Sequence, residues 1–466
     1  MTTTFVRRVP MPSSAEVTKA MWIGLAAAYI GVVTVGMTRI SYDIWGGLVL
    51  GPMLGALTLP LMRRIVRRDD PAMVNLITLA FLVKMVGTVL RYMVTFNVYG
   101  YGDSSEYHDS GSRLAHAFWG GTFSEALSVE VPDLIGTEFI RLTTGLLYVV
   151  TGPTLFGGFV AYAVLSFWGL FFFYRALRTA FPDADYMRYA KLLFFLPSLL
   201  YWPSATGKEA WMLFTIGLAT YGVALILRHN PLGYPYAGFG IAGTAMVRPH
   251  ITALVLASLL VAYVLRRRSW RESRWGPFGK WAGIAVLLAA GGFMIGQVST
   301  FFKLDELDSQ SVDTVLSETD RRSSQGGSEF ESVQPSSPAG YPMAVVTVMF
   351  RPFPWEAPNS QALSAAFEGF VLAGVCAVSW RRLIRVPGFI FRVPFLSYCV
   401  AYSAMFVFAF SAINNFGLLS RQRTQLLPLV LVLLAVPPPR IDDGDDLIDD
   451  ARPRFHLERV GRRVDF

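Results

Sequence analysis

Residues 72–98 read AMVNLITLAFLVKMVGTVLRYMVTFNV, and this stretch decides the fold class. A helix needs about 20 predominantly apolar residues to cross a bilayer, and the only charged residues in the stretch are Lys84 and Arg91. Cations inside such a run are expensive in lipid and usually functional. The stretch therefore predicts a membrane-spanning helix that carries two cations, seven residues apart, on one face.

The composition of the whole chain agrees with this interpretation. Of its 466 residues, 53% are hydrophobic and 16% are charged, whereas a soluble domain has about 25% charged residues. Aromatic residues make up 14%, which excludes a disordered chain. The two cysteines, Cys376 and Cys399, both lie in apolar runs and indicate neither a disulfide framework nor a Cys-based metal site.

Further apolar runs predict an all-α, polytopic membrane protein with about twelve transmembrane helices. The first run has no small-residue cleavage site, so we expect a retained helix and not a signal peptide. The predicted spans are 20–38, 44–62, 72–98, 154–176, 189–204, 209–227, 236–248, 250–265, 279–299, 361–380, 393–413 and 417–436.

The positions of Lys and Arg predict the orientation of these helices. The net charge is +8, and the basic residues concentrate in alternate connecting segments, which marks the cytoplasmic side. Both termini are then cytoplasmic, as residues 1–19 and a polar tail at 437–466, and the bundle covers 20–436. Two long extracytoplasmic loops are expected at 99–153 and 300–360. Because the positive charge reflects topology, we expect no nucleic-acid partner.

The first outer loop begins with a polar cluster, YGDSSEYHD at 101–109. On a helix Asp103, Glu106 and Tyr107 would share one face, and a carboxylate beside a low-dielectric surface can act as a general base towards a hydroxyl. The alternative is structural, with Asp103 and Glu106 in a capping box. Further along, 139–151 is apolar but too short to span, which favours a helix along the outer interface.

A second cluster is WPSATGKE at 202–209, which we interpret as an outer turn entering a helix. The backbone N–H groups of a helix start, together with Lys208, would suit a phosphate. The alternative is a structural helix start, capped by Ser204 or Thr206 and with Glu209 in its first turn.

Two more clusters place arginines at the outer side. Arg248 and His250 flank a proline between spans that are otherwise uncharged. An outer Arg runs against the positive-inside bias, so it indicates either a specific anionic partner or a turn at the headgroups. Arg351 lies in MFRPFPWE at 349–356, where it could bind substrate or pair with Glu356 beside an aromatic interface anchor.

The last cluster is NNFGLLSRQRTQ at 414–425, just before the final predicted span. Arg421 and Arg423 lie beside amides, and guanidinium groups suit a lipid phosphate or diphosphate. The alternative is that both arginines snorkel onto anionic headgroups. Taken together, the clusters predict an outward-facing cavity at membrane level. No His, Asp and Glu set has metal-ligand spacing, so the sequence assigns no cofactor, and a divalent metal stays open without support.

The stretch from Gly102 to His108, followed by Leu114 and Ala115, resembles GT-C integral-membrane glycosyltransferases. So do FLPSLLYWPSATGKE at 195–209 and RQR at 421–423 before Leu427-Pro428. The resemblance implies a helical bundle in the bacterial cytoplasmic membrane that uses a polyprenyl-phosphate-linked sugar donor on its outer face.

For the site, the resemblance implies that Asp103 is the catalytic base, with Glu106 as its neighbour or substitute. The sugar acceptor would be a cell-envelope glycan or glycolipid, and the reaction would invert the anomeric centre. The candidate substrate-binding residues are Tyr107, His108, Lys208, Glu209, Arg248, His250, Arg351, Arg421 and Arg423.

Two other functions are also consistent with the sequence. The number of spans and the long outer loop between the ninth and tenth also resemble Wzy-type polysaccharide polymerases and O-antigen ligases, which bind a polyprenyl diphosphate with outer arginines. A lipid-glycan flippase or transporter would need ionisable groups along a path through both halves of the membrane, whereas the clusters here lie at the outer rim. Each function implies a lipid-linked glycan and membrane lipids as partners.

Overall fold

A computed structural model describes residues 14–68, 70–265, 292, 330 and 338–437 of the chain. These residues form helices and turns, with no strand among them, so the all-α prediction is confirmed for this part of the chain. In chain order the helices are α1 (Ser14–Arg39), α2 (Tyr42–Arg67), α3 (Ala72–Met93), α4 (Asp103–Gly120), α5 (Phe123–Glu130), α6 (Thr137–Thr151), α7 (Leu155–Ala180), α8 (Tyr186–Phe195), α9 (Pro197–Tyr201), α10 (Lys208–Leu227), α11 (Gly233–Val247), α12 (Pro249–Leu265), α13 (Tyr341–Phe350), α14 (Ser360–Val378), α15 (Trp380–Leu383), α16 (Val386–Ile390), α17 (Pro394–Phe410), α18 (Phe416–Arg423) and α19 (Leu427–Leu433).

Five of the described helices are long and apolar enough to cross a membrane: α2, α3 with its π-helical extension to Val98, α7, α10 and α14. Each of them coincides with a predicted span. Helices α12, α13 and α17 are apolar but shorter. The total of twelve spans and the positions of the termini therefore stay predictions. The predicted span at 279–299, most of the loop at 300–360 and nearly all of the tail lie outside the described residues.

Helices α7 and α10 form the centre of the bundle. In each of them 72% of the most apolar window is buried, against 22% for α2 and for α14, which lie at the periphery. Glycines let the two central helices touch: a Cβ built on Gly217 would lie 2.3 Å from the carbonyl oxygen of Gly169, closer than any real contact. Small residues at helix crossings provide this close packing in membrane proteins.

Two predicted spans are broken helices. The span at 189–204 divides at Leu196, which is extended, and Pro197 then begins α9 because proline fits the first turn of a helix. The span at 417–436 divides between α18 and α19. Because these helices are broken, the polar segments at 202–209 and 421–425 lie inside the bundle. A continuous helix at either position would present only apolar side chains there.

The segment at 99–153, predicted to be extracytoplasmic, forms three helices, α4 to α6. Helix α6 confirms the predicted helix at 139–151, and its position at the membrane interface stays a prediction. Helices α4 and α6 cross at two glycines, since a Cβ on Gly111 would lie 2.8 Å from Thr144 and one on Gly145 would lie 2.8 Å from Leu114. This close crossing fixes α4, and with it the residue that begins the helix, Asp103.

Candidate active site

Asp103 is the first residue of α4 and points to a cation from the far end of the chain. Its Oδ2 atom lies 2.8 Å from Nη2 of Arg421, and its side chain is 63% exposed. The residue that precedes the helix is Gly102, and no side chain caps this end. The carboxylate of Asp103 is therefore not used as a helix cap, and it is paired with Arg421 on one side and exposed on the other.

Glu209 holds two arginines from the buried side of the same site. It is the second residue of α10, and its side chain is 10% exposed. Arg421 approaches its Oε1 atom with Nε at 3.2 Å and Nη2 at 3.1 Å, and Nη2 of Arg248 lies 3.5 Å from the same oxygen. One buried carboxylate thus draws together two guanidinium groups whose like charges would otherwise repel.

An amide completes the arrangement. Nη1 of Arg248 donates to Oε1 of Gln422 at 2.5 Å, and Nε2 of Gln425 donates to the same oxygen at 2.7 Å. We call Asp103, Glu209, Arg248, Arg421 and Gln422 the carboxylate–guanidinium cluster. Its members come from α4, α10, the junction of α11 and α12, and α18, so the fold assembles it from four segments distant in sequence.

Tyr107 lies at the wall of this cluster. It is 5% exposed, and a Cβ built on Gly207 would lie 3.4 Å from its ring and 3.6 Å from Oε2 of Glu209. Burial, and after it the negative charges of Glu209 and Asp103, raises the pKa of the Tyr107 phenol. The hydroxyl therefore stays protonated and can donate a hydrogen bond to an anion.

Lys208 begins α10 beside Glu209. Its Nζ donates to Oγ1 of Thr137 at 2.8 Å, which holds the ammonium against α6. Neither Ser204 nor Thr206 caps the helix, because the capping position is Gly207 and no side chain accepts there. The two guanidinium groups of the cluster are balanced by its two carboxylates, and Lys208 lies within electrostatic range of Glu209, Asp103 and Glu138.

The other predicted site residues make their contacts elsewhere. Glu106 pairs with Arg141 of α6. His108 shares a hydrogen bond of 2.9 Å with Oη of Tyr148, and its ring stands edge to face against the tyrosine. The ring of His250 lies 6.3 Å from that of Phe410.

The side chains of Arg351 and Arg423 both bind other groups of the protein. Arg351 pairs with Glu356, as one interpretation of its motif expects. Arg423 is 1% exposed and donates to the backbone carbonyl of Arg351. Of the two arginines in the RQR motif, Arg421 alone faces Asp103 and Glu209, and Arg423 ties α18 to the loop that precedes α14.

The two cations of α3 support the broken helix that leads into α10. Nζ of Lys84 is buried and donates to the carbonyls of Leu199, Leu200 and Pro203 at 3.0, 3.4 and 3.3 Å. The guanidinium of Arg91 lies 4.9 Å from the rings of Tyr201 and Trp202, within range of a cation–π contact. Both cations thus hold the chain just before Lys208 and Glu209.

Sequence reasoning missed one buried carboxylate. Glu368 in α14 is 5% exposed, and its Oε2 accepts from the backbone N–H of Ser198 at 2.5 Å. The signal for it was present, since Glu368 is the single acidic residue of an apolar run and intramembrane carboxylates are rare. Thr137, the partner of Lys208, carried no comparable signal.

Within the described ranges, no three or more His, Cys, Asp or Glu residues come together in a way that could hold a metal ion. Comparison with known proteins adds no assignment: no family model, curated protein or solved structure matches this chain.

Proposed function

We propose that the protein is an integral-membrane glycosyltransferase of the GT-C type. It would transfer a sugar from a polyprenyl-phosphate-linked donor to a cell-envelope glycan or glycolipid on the outer face of the cytoplasmic membrane. The observation that carries the proposal is the position of Arg421 between an exposed carboxylate, Asp103, and a buried one, Glu209. A general base and a phosphate-binding cation are thereby in direct contact.

The cluster suits the departure of a phosphate. As the bond between the anomeric carbon and the phosphate oxygen breaks, the electron pair stays on the polyprenyl phosphate. Arg421, Arg248 and Lys208 would stabilise that charge, and cations already fixed in place stabilise a transition state without reorganising. Glu209 contacts both guanidinium groups from the buried side of the site. They would therefore be oriented before the phosphate binds.

Asp103 would take the proton of the attacking hydroxyl. The acceptor oxygen forms the new bond to the anomeric carbon from the face opposite the phosphate, and its proton passes to Oδ1 or Oδ2 of Asp103. In the structure Oδ2 accepts a hydrogen bond from Nη2 of Arg421. A donor phosphate that takes over this nitrogen would release the carboxylate, so we expect the base to become available only after the donor has bound.

A transfer assay with purified protein tests the proposal. The wild type should form a glycosidic bond from a radiolabelled polyprenyl-phosphate sugar, and Asp103→Asn should lose transfer while it still binds the donor. The matched control is Asp109→Asn, an exposed carboxylate on the same helix, which should transfer normally.

Other results would contradict the assignment in distinct ways. Normal turnover by Asp103→Asn would exclude Asp103 as the base. Transfer from a diphosphate-linked oligosaccharide, with none from the monophosphate donor, would indicate a polymerase or ligase. Movement of the labelled lipid across proteoliposomes without any new glycosidic bond would indicate a flippase.

A further inference from the structure

The turn from Arg351 to Glu356 is fixed by its own hydrogen bonds. Nε of Arg351 lies 3.1 Å from both carboxylate oxygens of Glu356, and Nη2 lies 2.6 Å from Oε1. The N–H of Phe353 donates to Oε2 at 2.9 Å. Prolines at 352 and 354 further restrict the backbone. A turn held in this way has little freedom left to lose when it binds a ligand.

The same turn is attached to α18, the helix that carries Arg421. The carbonyl oxygen of Arg351 accepts a hydrogen bond from the buried Arg423. The guanidinium of Arg351 also lies 5.6 Å from the ring of Phe416, the first residue of α18. Two separate contacts therefore fix the position of the turn relative to α18, and so relative to the carboxylate–guanidinium cluster.

A third contact joins the segment after the turn to the chain that precedes Asp103. Oη of Tyr99 donates to Oε1 of Gln361 in the first turn of α14 at 2.7 Å. Tyr99 is four residues before Asp103 in sequence. The exposed side of Asp103 is the side from which an acceptor must approach, since Glu209 and Arg248 occupy the buried side.

The turn presents a large aromatic surface. The side chain of Trp355 is 81% exposed, and its ring stacks on that of Phe353 with centroids 5.0 Å apart and planes 24° apart. A flat aromatic face suits the apolar C–H face of a sugar ring. An interfacial membrane anchor needs only an aromatic side chain at headgroup level, and it requires neither the fixed turn nor its attachment to α18.

We propose that Trp355, supported by Phe353, is a stacking platform for a sugar ring of the acceptor. The proposal rests on the proposed function and adds to it the location and the chemistry of the acceptor subsite. Arg423 then has a positioning role, because it sets the distance between this platform and Arg421.

Direct binding tests the platform without any turnover. Soluble methyl glycosides of common envelope sugars serve as probes, and saturation-transfer NMR with the full-length protein in nanodiscs reports their contact. At least one glycoside should bind, and Trp355→Ala should weaken it about tenfold, the size of one aromatic stacking contact. Trp355→Phe should recover part of the affinity. Trp119→Ala, at another exposed tryptophan of the outer segment, is the matched control and should bind as the wild type does.

The outcomes separate this inference from the proposed function. In the transfer assay Trp355→Ala should raise the KM for the acceptor about tenfold and leave donor binding unchanged. Equal glycoside binding and equal acceptor KM in Trp355→Ala and wild type would overturn the platform even if transfer occurs. Quenching of Trp355 by brominated lipid, with no response to any glycoside, would overturn it in favour of a membrane anchor. Glycoside binding that depends on Trp355, in a protein that transfers no sugar, would support the platform and refute the enzyme.

Discussion

Nη2 of Arg421 lies 2.8 Å from Oδ2 of Asp103, although 318 residues separate the two in sequence. The same nitrogen lies 3.1 Å from Glu209. An arginine that contacts both an exposed and a buried carboxylate can exchange the exposed one for a phosphate. It then keeps its contact with the buried carboxylate. Glu209 would thus stay in place as the anchor, and Asp103 would be the partner that is released.

Arg421 should therefore determine donor affinity. Replacement by Gln removes the charged hydrogen bond that Arg421 would donate to the phosphate, and its loss of about 1.5–3 kcal/mol corresponds to about 10- to 150-fold in affinity. Arg421→Lys keeps the charge but cannot present a bidentate fork, so its affinity should fall in between.

Titration of the purified protein with a fluorescent polyprenyl-phosphate sugar measures both variants. Arg392→Gln serves as a control, since Arg392 is exposed outside the cluster and should leave the affinity unchanged. Equal affinity of wild type and Arg421→Gln would exclude Arg421 from the phosphate site.

Glu209 should contribute strongly to stability. Arg248 and Arg421 both contact its Oε1 atom, and removing one partner of a buried ion pair costs about 3–5 kcal/mol. Glu209→Gln should therefore lower the midpoint of thermal unfolding in detergent. The double variant Glu209→Gln/Arg248→Gln should recover part of the loss, because it removes the guanidinium group that loses its carboxylate, whereas Arg421 keeps Asp103.

The exposed Glu125 offers a matched control. Glu125→Gln should unfold at the wild-type temperature. If Glu209→Gln were as stable as this control, the two arginines would not depend on Glu209 for their position.

Composition and periodicity predicted the helical class and the position of the long apolar helices, because each such span depends on a local run of residues. Residue type at helix ends also indicated Asp103, Glu209, Arg248 and Arg421. Local patterns do not show which side chains that are distant in sequence contact each other in the fold. Arg351 and Arg423 have the same chemistry as Arg421, and only the fold determines that they meet Glu356 and a backbone carbonyl.

The broken helices are a second case in which local patterns were insufficient. A hydropathy run at 189–204 looks like one span, although Pro197 divides it. The carbonyls at the end of the short helix α9 need donors, and Lys84 from another helix, together with Ser166 and Ser204, supplies them. The sequence showed that Lys84 was unusual, but its partners are defined only in three dimensions.

Lys84 should consequently stabilise the fold, and it should also support the position of the site residues Lys208 and Glu209. Lys84→Met preserves the length of the side chain but removes the donor to the carbonyl of Leu199, at about 1–3 kcal/mol for an unsatisfied buried group. Ser204 and Ser166 still donate to the carbonyls of Leu200 and Pro203. We expect a lower unfolding temperature in detergent and a weaker donor affinity, since the segment before Lys208 and Glu209 would lose its support. Lys191→Met removes an exposed lysine and should change neither. A variant Lys84→Met with wild-type stability would show that the carbonyl of Leu199 does not need this donor.

His108 should make stability depend on pH. Burial lowers the pKa of His108 below its ordinary value of 6.5, against the opposing charges of Asp43 and Asp109. The unfolded chain therefore binds this proton more tightly than the folded protein does, and stability falls as the pH drops below about 6.5. The loss should level off once the pH is below the folded pKa, where both states are protonated.

Unfolding temperatures measured between pH 7.5 and pH 5 test this sign. The wild type should lose stability across the interval, and His108→Gln, which can still bond to Tyr148, should lose less. His116→Gln is the matched control on the same helix, where the ring is exposed, and it should follow the wild-type profile. An identical pH profile for His108→Gln and wild type would mean that groups other than His108 account for the acid sensitivity.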